Sequence, residues 1–246
     1  MEKEYAQKYR QLYQHHWWWR TRESIIWNCI RQYAGNRTDL QILDVGCGDG
    51  LFFDALGEFG QVRGVEIDDR IVDPQGPHYE RIFVGPFDSS YQVEQPLSVV
   101  LMLDVLGHLP NPEECLAHAI RLLADDGIVI ITVPAFLWLW TRHDDINMHC
   151  TRYQKRSFAP LAASAGMRID RWEYFFHWLV AAKLAVRLKE RLIPGDPKPA
   201  ALPPAPLNQL LKTVCDVERA LCGWMKLPLG TSLLVVGGRQ TNTAVR

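Results

Sequence analysis

The sequence lacks the marks of several protein classes. Its six cysteines (Cys29, Cys47, Cys115, Cys150, Cys215 and Cys222) include no CxxC pair, so neither a zinc ribbon nor a secreted disulfide framework is expected. Formal net charge is only −1, and no stripe alternates basic with aromatic residues, which argues against nucleic acid as a partner. The most apolar helical stretch, 177–193, is interrupted by His177, Lys183, Arg187 and Lys189, too many polar positions for a transmembrane span. The first residues, MEKEYAQKYRQLYQ, are polar and unlike a secretory leader, and no internal repeat is visible. A cytoplasmic setting is the expectation.

What is present is uneven. Residues 1–150 carry 12 Lys/Arg against 22 Asp/Glu, whereas residues 151–246 carry 15 against 6. The C-terminal third therefore either meets something anionic or presents a solvated basic face. Short apolar runs recur at 41–45, 61–68, 80–85, 96–106, 127–135, 167–176 and 231–239. Helical patterns lie between them, at 2–34, around 51–59, from Pro112, and from a Ser157 cap to Gly166. This alternation predicts an α/β fold with a doubly wound, Rossmann-like sheet. Beyond 176 come a basic amphipathic helix (177–193), a proline-rich connector (194–206) and a second helix (207–226). The chain divides into an N-terminal helical lid (1–40), a core (41–176), a helical insert (177–230) and a closing strand with tail (231–246).

LDVGCGDG (43–50) lies where a strand hands over to a helix, the setting of a nucleotide-binding loop. Gly46 and Gly48 let the backbone approach a ligand closely. Glu66 ends the next strand about twenty residues on, where an acid takes both ribose hydroxyls. A nicotinamide fingerprint needs a third glycine where Leu51 stands. Asp44 and the absence of a basic residue in the loop suit a ligand with an ammonium and a sulfonium, not a pyrophosphate. S-adenosylmethionine is the expected cofactor.

ILDVGCGDG, GVEID and VVLMLDVLGHLPNP resemble the class I S-adenosylmethionine-dependent methyltransferases, over about residues 15 to 176. HWWWRTR and TVPAFLWLWTRHDDINMHCTRY resemble a bacterial subgroup that pairs an N-terminal H-W-W-x-x-R element with an H-D…H-x-R-Y loop. The resemblance implies a seven-stranded sheet with its last strand antiparallel. It also implies cofactor contacts from Asp44, Gly46 and Gly48 to the methionine end and from Glu66 to the ribose. Phe87 and Asp88 would lie near the adenine, and Leu103 and Asp104 near the methionine backbone. GPFD departs from the family habit of an acid directly after that glycine. Arg22 is the candidate for the cofactor carboxylate, with Arg20 behind it.

Two i, i+4 pairs, His15 with Trp19 and Trp18 with Arg22, are each placed to form a wall. Either the tryptophans make a hydrophobic lid, with Trp18 and Trp19 meeting the acceptor, or they pin a terminal helix to the sheet. Loops at the carboxyl ends of the strands bring His108, His143, Asp144, His149, Arg152 and Tyr153 toward an acceptor. His149 is the first candidate for general base and His143 the second. Asp144 would orient an imidazole and Arg152 would bind an anionic acceptor, or the two would pair to hold the loop. His108 and Tyr153 are candidates to contact the acceptor, or His108 caps a turn beside the following proline, and no metal is expected. The insert reads as a substrate cover or, through 177–193, as a peripheral membrane contact serving a lipid-linked acceptor. Methyl transfer to a small-molecule or lipid-linked acceptor, at oxygen, is the expectation. The alternatives are a non-catalytic cofactor-binding scaffold and a nicotinamide oxidoreductase.

Overall fold

Apolar runs with β-branched residues form a single mixed sheet in the computed structural model, which describes residues 2–193, 200–222, 225 and 227–240. Its strands are β1 (Leu40–Val45), β2 (Gly60–Glu66), β3 (Ile82–Val84), β4 (Leu97–Leu103), β5 (Leu123–Pro134), β6 (Met167–Phe175) and β7 (Ser232–Arg239). The order is β3-β2-β1-β4-β5-β7-β6. The first five strands run parallel, and β7 lies antiparallel between β5 and β6. The Rossmann-like sheet with an antiparallel last strand is as expected.

Alternation along each strand sends one residue to each face. Ile42, Val99, Ile130 and Leu234 join one buried cluster with Ile26, Ile30 and Phe53. Leu43, Val100, Val129 and Leu233 join the other with Leu116 and Phe158. The helices that cover these faces are α1 (Glu2–His15), α2 (Trp17–Ala34), α3 (Phe53–Leu56), α4 (Pro112–Leu122), α5 (Arg142–Ile146) and α6 (Lys155–Ser164), followed by α7 (Leu179–Leu192) and α8 (Ala205–Cys222) of the insert. Strand order reverses between β1 and β4, so a crevice opens above their carboxyl ends.

Several local expectations change. The helix expected over 2–34 breaks at His16, whose extended backbone caps α2 and whose ring accepts from the Trp18 amide. Asn208 of α8 completes the break, accepting from the Trp17 amide at 3.0 Å and donating to the His15 carbonyl at 2.7 Å. The helix at 51–59 shrinks to a single turn, because Gly50 at φ +68° ends the loop late. Gln154, not Ser157, caps α6, with Ser157 returning the bond from the third helical position. Within the connector and second helix expected at 194–226, residues 194–199, 223, 224 and 226 lie outside the described residues, as does the tail 241–246. No described helix is long and apolar enough to cross a membrane.

Candidate active site

The glycine loop turns sharply after β1, with Gly46, Gly48 and Gly50 at φ +73°, +58° and +68°. A β-carbon on Gly46 would stand 2.8 Å from Val105 Cγ2, and one on Gly48 would stand 3.2 Å from the Tyr9 ring. Glu66 fixes the loop: one carboxylate oxygen accepts from the Gly48 amide at 2.8 Å and the other from the Asp68 amide at 2.9 Å. Each oxygen keeps a lone pair for a further donor such as a hydroxyl.

Beside this loop lie two polar groups left incomplete. Asp44 is buried, with no hydrogen bond to its carboxylate among the described residues. Burial, opposed by Arg22 and reinforced by Glu66, pushes its pKa up to about 7. Arg22 donates from Nη1 to Asp104 at 2.6 Å, while its Nε is buried without a partner among the described residues. Burial works against the Arg22 charge, but Asp104 outweighs it and the pKa is raised. An unmatched buried carboxylate beside an unmatched buried guanidinium N–H is chemically the complement of an amino-acid zwitterion. The residues present therefore fit the methionine end of S-adenosylmethionine, with Asp44 toward its cations and Arg22 toward its carboxylate.

Backbone strain gathers at the same end of the sheet. Asp104 after β4, Phe136 after β5 and Phe176 after β6 sit at φ +63°, +59° and +59°, a region that costs a bulky L residue about 1–2 kcal/mol. Asp104 is held there by Arg22 and by its amide bond to the Thr132 carbonyl at 2.9 Å. Leu103, half-buried, ends β4 just before it.

The tryptophans divide the work. Trp17 is buried against Phe176 and Trp178, and Trp18 stacks on Phe176. The expected Trp18–Arg22 wall is present, with the guanidinium 5.1 Å from the indole centroid. The His15–Trp19 pair is not: His15 is exposed, and His16 meets Trp19 edge-on because the helix breaks between them. Arg20 is exposed. Phe87 and Asp88 make no ring contact or hydrogen bond with this cluster among the described residues. The Phe87 ring packs on His118 and Tyr91, and the exposed Asp88 bonds Ser90 to close its own turn.

The carboxyl ends of β4 and β5 carry a second cluster. Asp144 is fully buried and accepts from the Thr141 amide, Arg152, Lys183 and His149 Nδ1, the last at 2.9 Å. Burial alone would raise its pKa, but His149, Arg152 and Lys183 overcome that and hold it far below the carboxylate range. The pair leaves His149 Nε2 without a hydrogen-bond partner among the described residues. His108 faces the His149 ring at 4.5 Å, and burial followed by His149 lowers the His108 pKa. His143 is also lowered, by burial and then Lys183, and Asp144 turns to His149 instead.

Arg152 and Tyr153 do not take the acceptor roles expected of them. Arg152 is buried, and its three nitrogens donate to the Ala135 carbonyl, Asp144 and the Thr231 carbonyl. Tyr153 is buried with its hydroxyl on the Leu106 carbonyl, and its backbone bridges Ala135. Both stitch the loop to β5, because a guanidinium and a phenol so enclosed must satisfy their donors internally. Among the described residues no three His, Cys, Asp or Glu side chains converge as metal ligands.

Three residues of the site carry no clear signal in the sequence. Tyr9 lies on Gly48, and enclosure raises its pKa, as it does that of the buried Tyr13. Arg10 pairs with Asp49 at 2.5 Å and reaches Asp73 at 3.4 Å, tying α1 across the crevice. Only the N-terminal position of these two hints at a cover. The third is Lys183, the fourth partner of Asp144, which in the linear pattern belongs to a basic stripe.

Against this geometry, similarity to known proteins is decisive for the class. A family model described as methyltransferase domain matches residues 18–171, and the chain belongs to that family. The solved structures that the chain resembles show that it carries the class I methyltransferase fold. The ubiquinone biosynthesis O-methyltransferase of Nitrosomonas europaea is 25% identical over 146 residues, which cover 51% of this chain and 60% of that protein. The protein of the same name from Maricaulis maris is 32% identical over 99 residues, covering 37% and 39%. The chain thus matches less than two thirds of either relative's length. A TehB-like S-adenosylmethionine-dependent methyltransferase from Corynebacterium glutamicum shares the fold, with a TM-score of 0.57, 18% identity and 97% of each chain covered. A sarcosine dimethylglycine methyltransferase candidate from Galdieria sulphuraria does so with a TM-score of 0.58, 16% identity, and 89% and 85% covered. The nicotinamide alternative is set aside.

Proposed function

We propose that the protein methylates a hydroxyl oxygen of a small or lipid-linked acceptor, with His149 as the general base. The observation that carries this reading is the His149–Asp144 pair at 2.9 Å above the carboxyl end of the sheet. Bound S-adenosylmethionine supplies an activated methyl carbon whose bond electrons leave to sulfur. Asp144 accepts a hydrogen bond from Nδ1–H and so presents His149 Nε2 as the basic nitrogen. Nε2 takes the hydroxyl proton as the oxygen lone pair forms the new bond to carbon. Asp44, Arg22 and Glu66 hold the cofactor, Gly46 and Gly48 admit its backbone approach, and Trp18 and Tyr9 exclude water. Asp104 is a positioning residue, holding the Arg22 guanidinium.

The name shared by the curated relatives supports oxygen as the accepting atom. The HWWWRTR and HDDINMHCTRY stretches carry the resemblance to the bacterial subgroup, the first supplying the Trp18–Arg22 wall and the second the Asp144–His149–Arg152 cluster. A lipid-linked acceptor is favoured by the outward leucines of α7 beside this cluster.

The test is transfer of a labelled methyl from S-adenosylmethionine to a cell extract, with cofactor affinity measured by calorimetry. His149→Gln is expected to lower kcat by about 10²–10⁴-fold, the usual contribution of a general base, while cofactor affinity holds. An unchanged rate would remove the base. Tight cofactor binding with no transfer to any fraction, even by the unaltered chain, would favour the scaffold alternative.

A further inference from the structure

α7 is amphipathic in the unexpected sense. Its charged residues Lys183 and Glu190 face the protein: Lys183 reaches Thr141 and Asp144, and Glu190 accepts from the Arg142 amide. Its apolar row, Leu184, Leu188 and Leu192, faces outward, with Leu188 58% and Leu192 72% exposed. On a helical projection Ala181 and Ala185 fall within that row, while Lys189 and Arg191 flank it on opposite sides. The neighbouring turn, Leu137–Leu139, adds exposed Leu137 and Trp138.

α8 repeats the pattern. Asn208 and Cys215 face α2 and Trp178, whereas Leu207, Leu210, Val214, Val217 and Leu221 form an exposed stripe. The described acids of the insert are all engaged elsewhere. Glu190 holds the Arg142 loop, Asp216 pairs with Lys212 at 2.6 Å, and Glu218 accepts from the His177 and Trp178 amides at the start of α7. Around the apolar row of α7 the outward charge is therefore basic, from Lys189 and Arg191.

We propose that the outward faces of α7 and α8, with Leu137 and Trp138, dock this protein on an anionic lipid bilayer. Leucines enter the acyl boundary, Lys189 and Arg191 reach the headgroups from either side of the row, and Trp138 sits at the interface. Charge complementarity and the tryptophan favour a bilayer over a second copy of the chain, whose equally basic rim would repel. The consequence for the site is direct. The inner face of α7 touches Asp144 through Lys183, and α8 holds the α1–α2 break through Asn208, so a bilayer-embedded acceptor would arrive beside the catalytic loop.

The experiment is flotation of the full chain with phosphatidylglycerol-containing vesicles and with pure phosphatidylcholine vesicles, alongside sedimentation velocity without lipid. Phosphatidylglycerol vesicles are expected to hold at least about tenfold more protein, by the attraction of basic side chains to anionic lipid. Leu188→Glu with Leu192→Glu should release it, and Lys189→Glu with Arg191→Glu should erase the preference for anionic lipid. These side chains are exposed, so circular dichroism should show unchanged folding. Absence of binding, or binding unaffected by both double variants, overturns the proposal. So does a stable dimer that the leucine variants dissociate, which would assign the face to a second copy. Vesicle binding needs no turnover, so this outcome is independent of whether His149 is the base.

Discussion

Two buried aspartates stand at opposite sides of the site in opposite electrostatic states. Asp44 is enclosed without a hydrogen bond to its carboxylate among the described residues, and its pKa is pushed up to about 7. Asp144 is enclosed with a histidine, an arginine, a lysine and a backbone amide around it, and its pKa is driven down. The same side chain is thus unmatched where we propose that a cationic ligand binds and fully matched where it holds a loop. A carboxylate that awaits a ligand costs the empty fold stability, whereas one that organises a network supports it.

The largest break in this comparison is Asp144→Ala. It leaves Arg152 and Lys183 buried without their counter-charge, and about 3–5 kcal/mol of unfolding free energy should be lost, read by urea denaturation. A loss under about 1 kcal/mol would mean that the network is solvated and Asp144 dispensable.

Asp44→Asn should act the other way on stability while weakening the cofactor. Loss of a charge-assisted contact of about 1.5–3 kcal/mol lowers S-adenosylmethionine affinity about 10–150-fold by calorimetry. The raised Asp44 pKa means stability present below the ordinary carboxylate value, about 3.9, and lost as pH rises through about 7. The Asn variant should therefore melt higher than the unaltered apo chain at pH 8, by at least about 2 °C. That gain should vanish near pH 4. Asp144 has the reverse dependence: its depressed pKa contributes stability above about pH 4 that is lost on acidification.

The smallest effect is on binding near neutrality. Below about pH 7, Asp44 must release a proton to meet a cation, so cofactor affinity should fall, approaching about tenfold per unit. In Asp44→Asn this slope should flatten. A slope that survives the substitution would assign the proton to another group.

Much of the architecture is legible in the linear pattern of residues. Each sheet strand falls on an apolar run, most plainly the central β1, β4 and β5, because strands buried on both faces leave little room for polar residues. Gly46, Gly48 and Glu66 stand out because sharp turns and close approaches demand particular residue types at fixed offsets. The Trp18–Arg22 wall follows from helical spacing alone. The break at His16 does not, since it depends on Asn208, far along the chain. Nor does the burial of Arg152 and Tyr153, whose partners include the carbonyls of Ala135 just after β5, Leu106 in a one-turn helix and Thr231 just before β7.

The clearest limit of the linear pattern is α7. Spacing identifies its leucine row and its basic residues, and both exist as expected. Which face turns inward is a separate matter, set by the buried carboxylate of Asp144 and the Thr141 hydroxyl that draw Lys183 to them. Sequence determined the sheet, the glycine turn and the carboxylates proposed to hold a methyl donor, because these rest on local conformational and burial preferences. Tertiary structure decided which charges meet, since a buried ion's partner is chosen by proximity in space. Spacing along the chain carries no sign for inside and outside when both faces of a helix have a use.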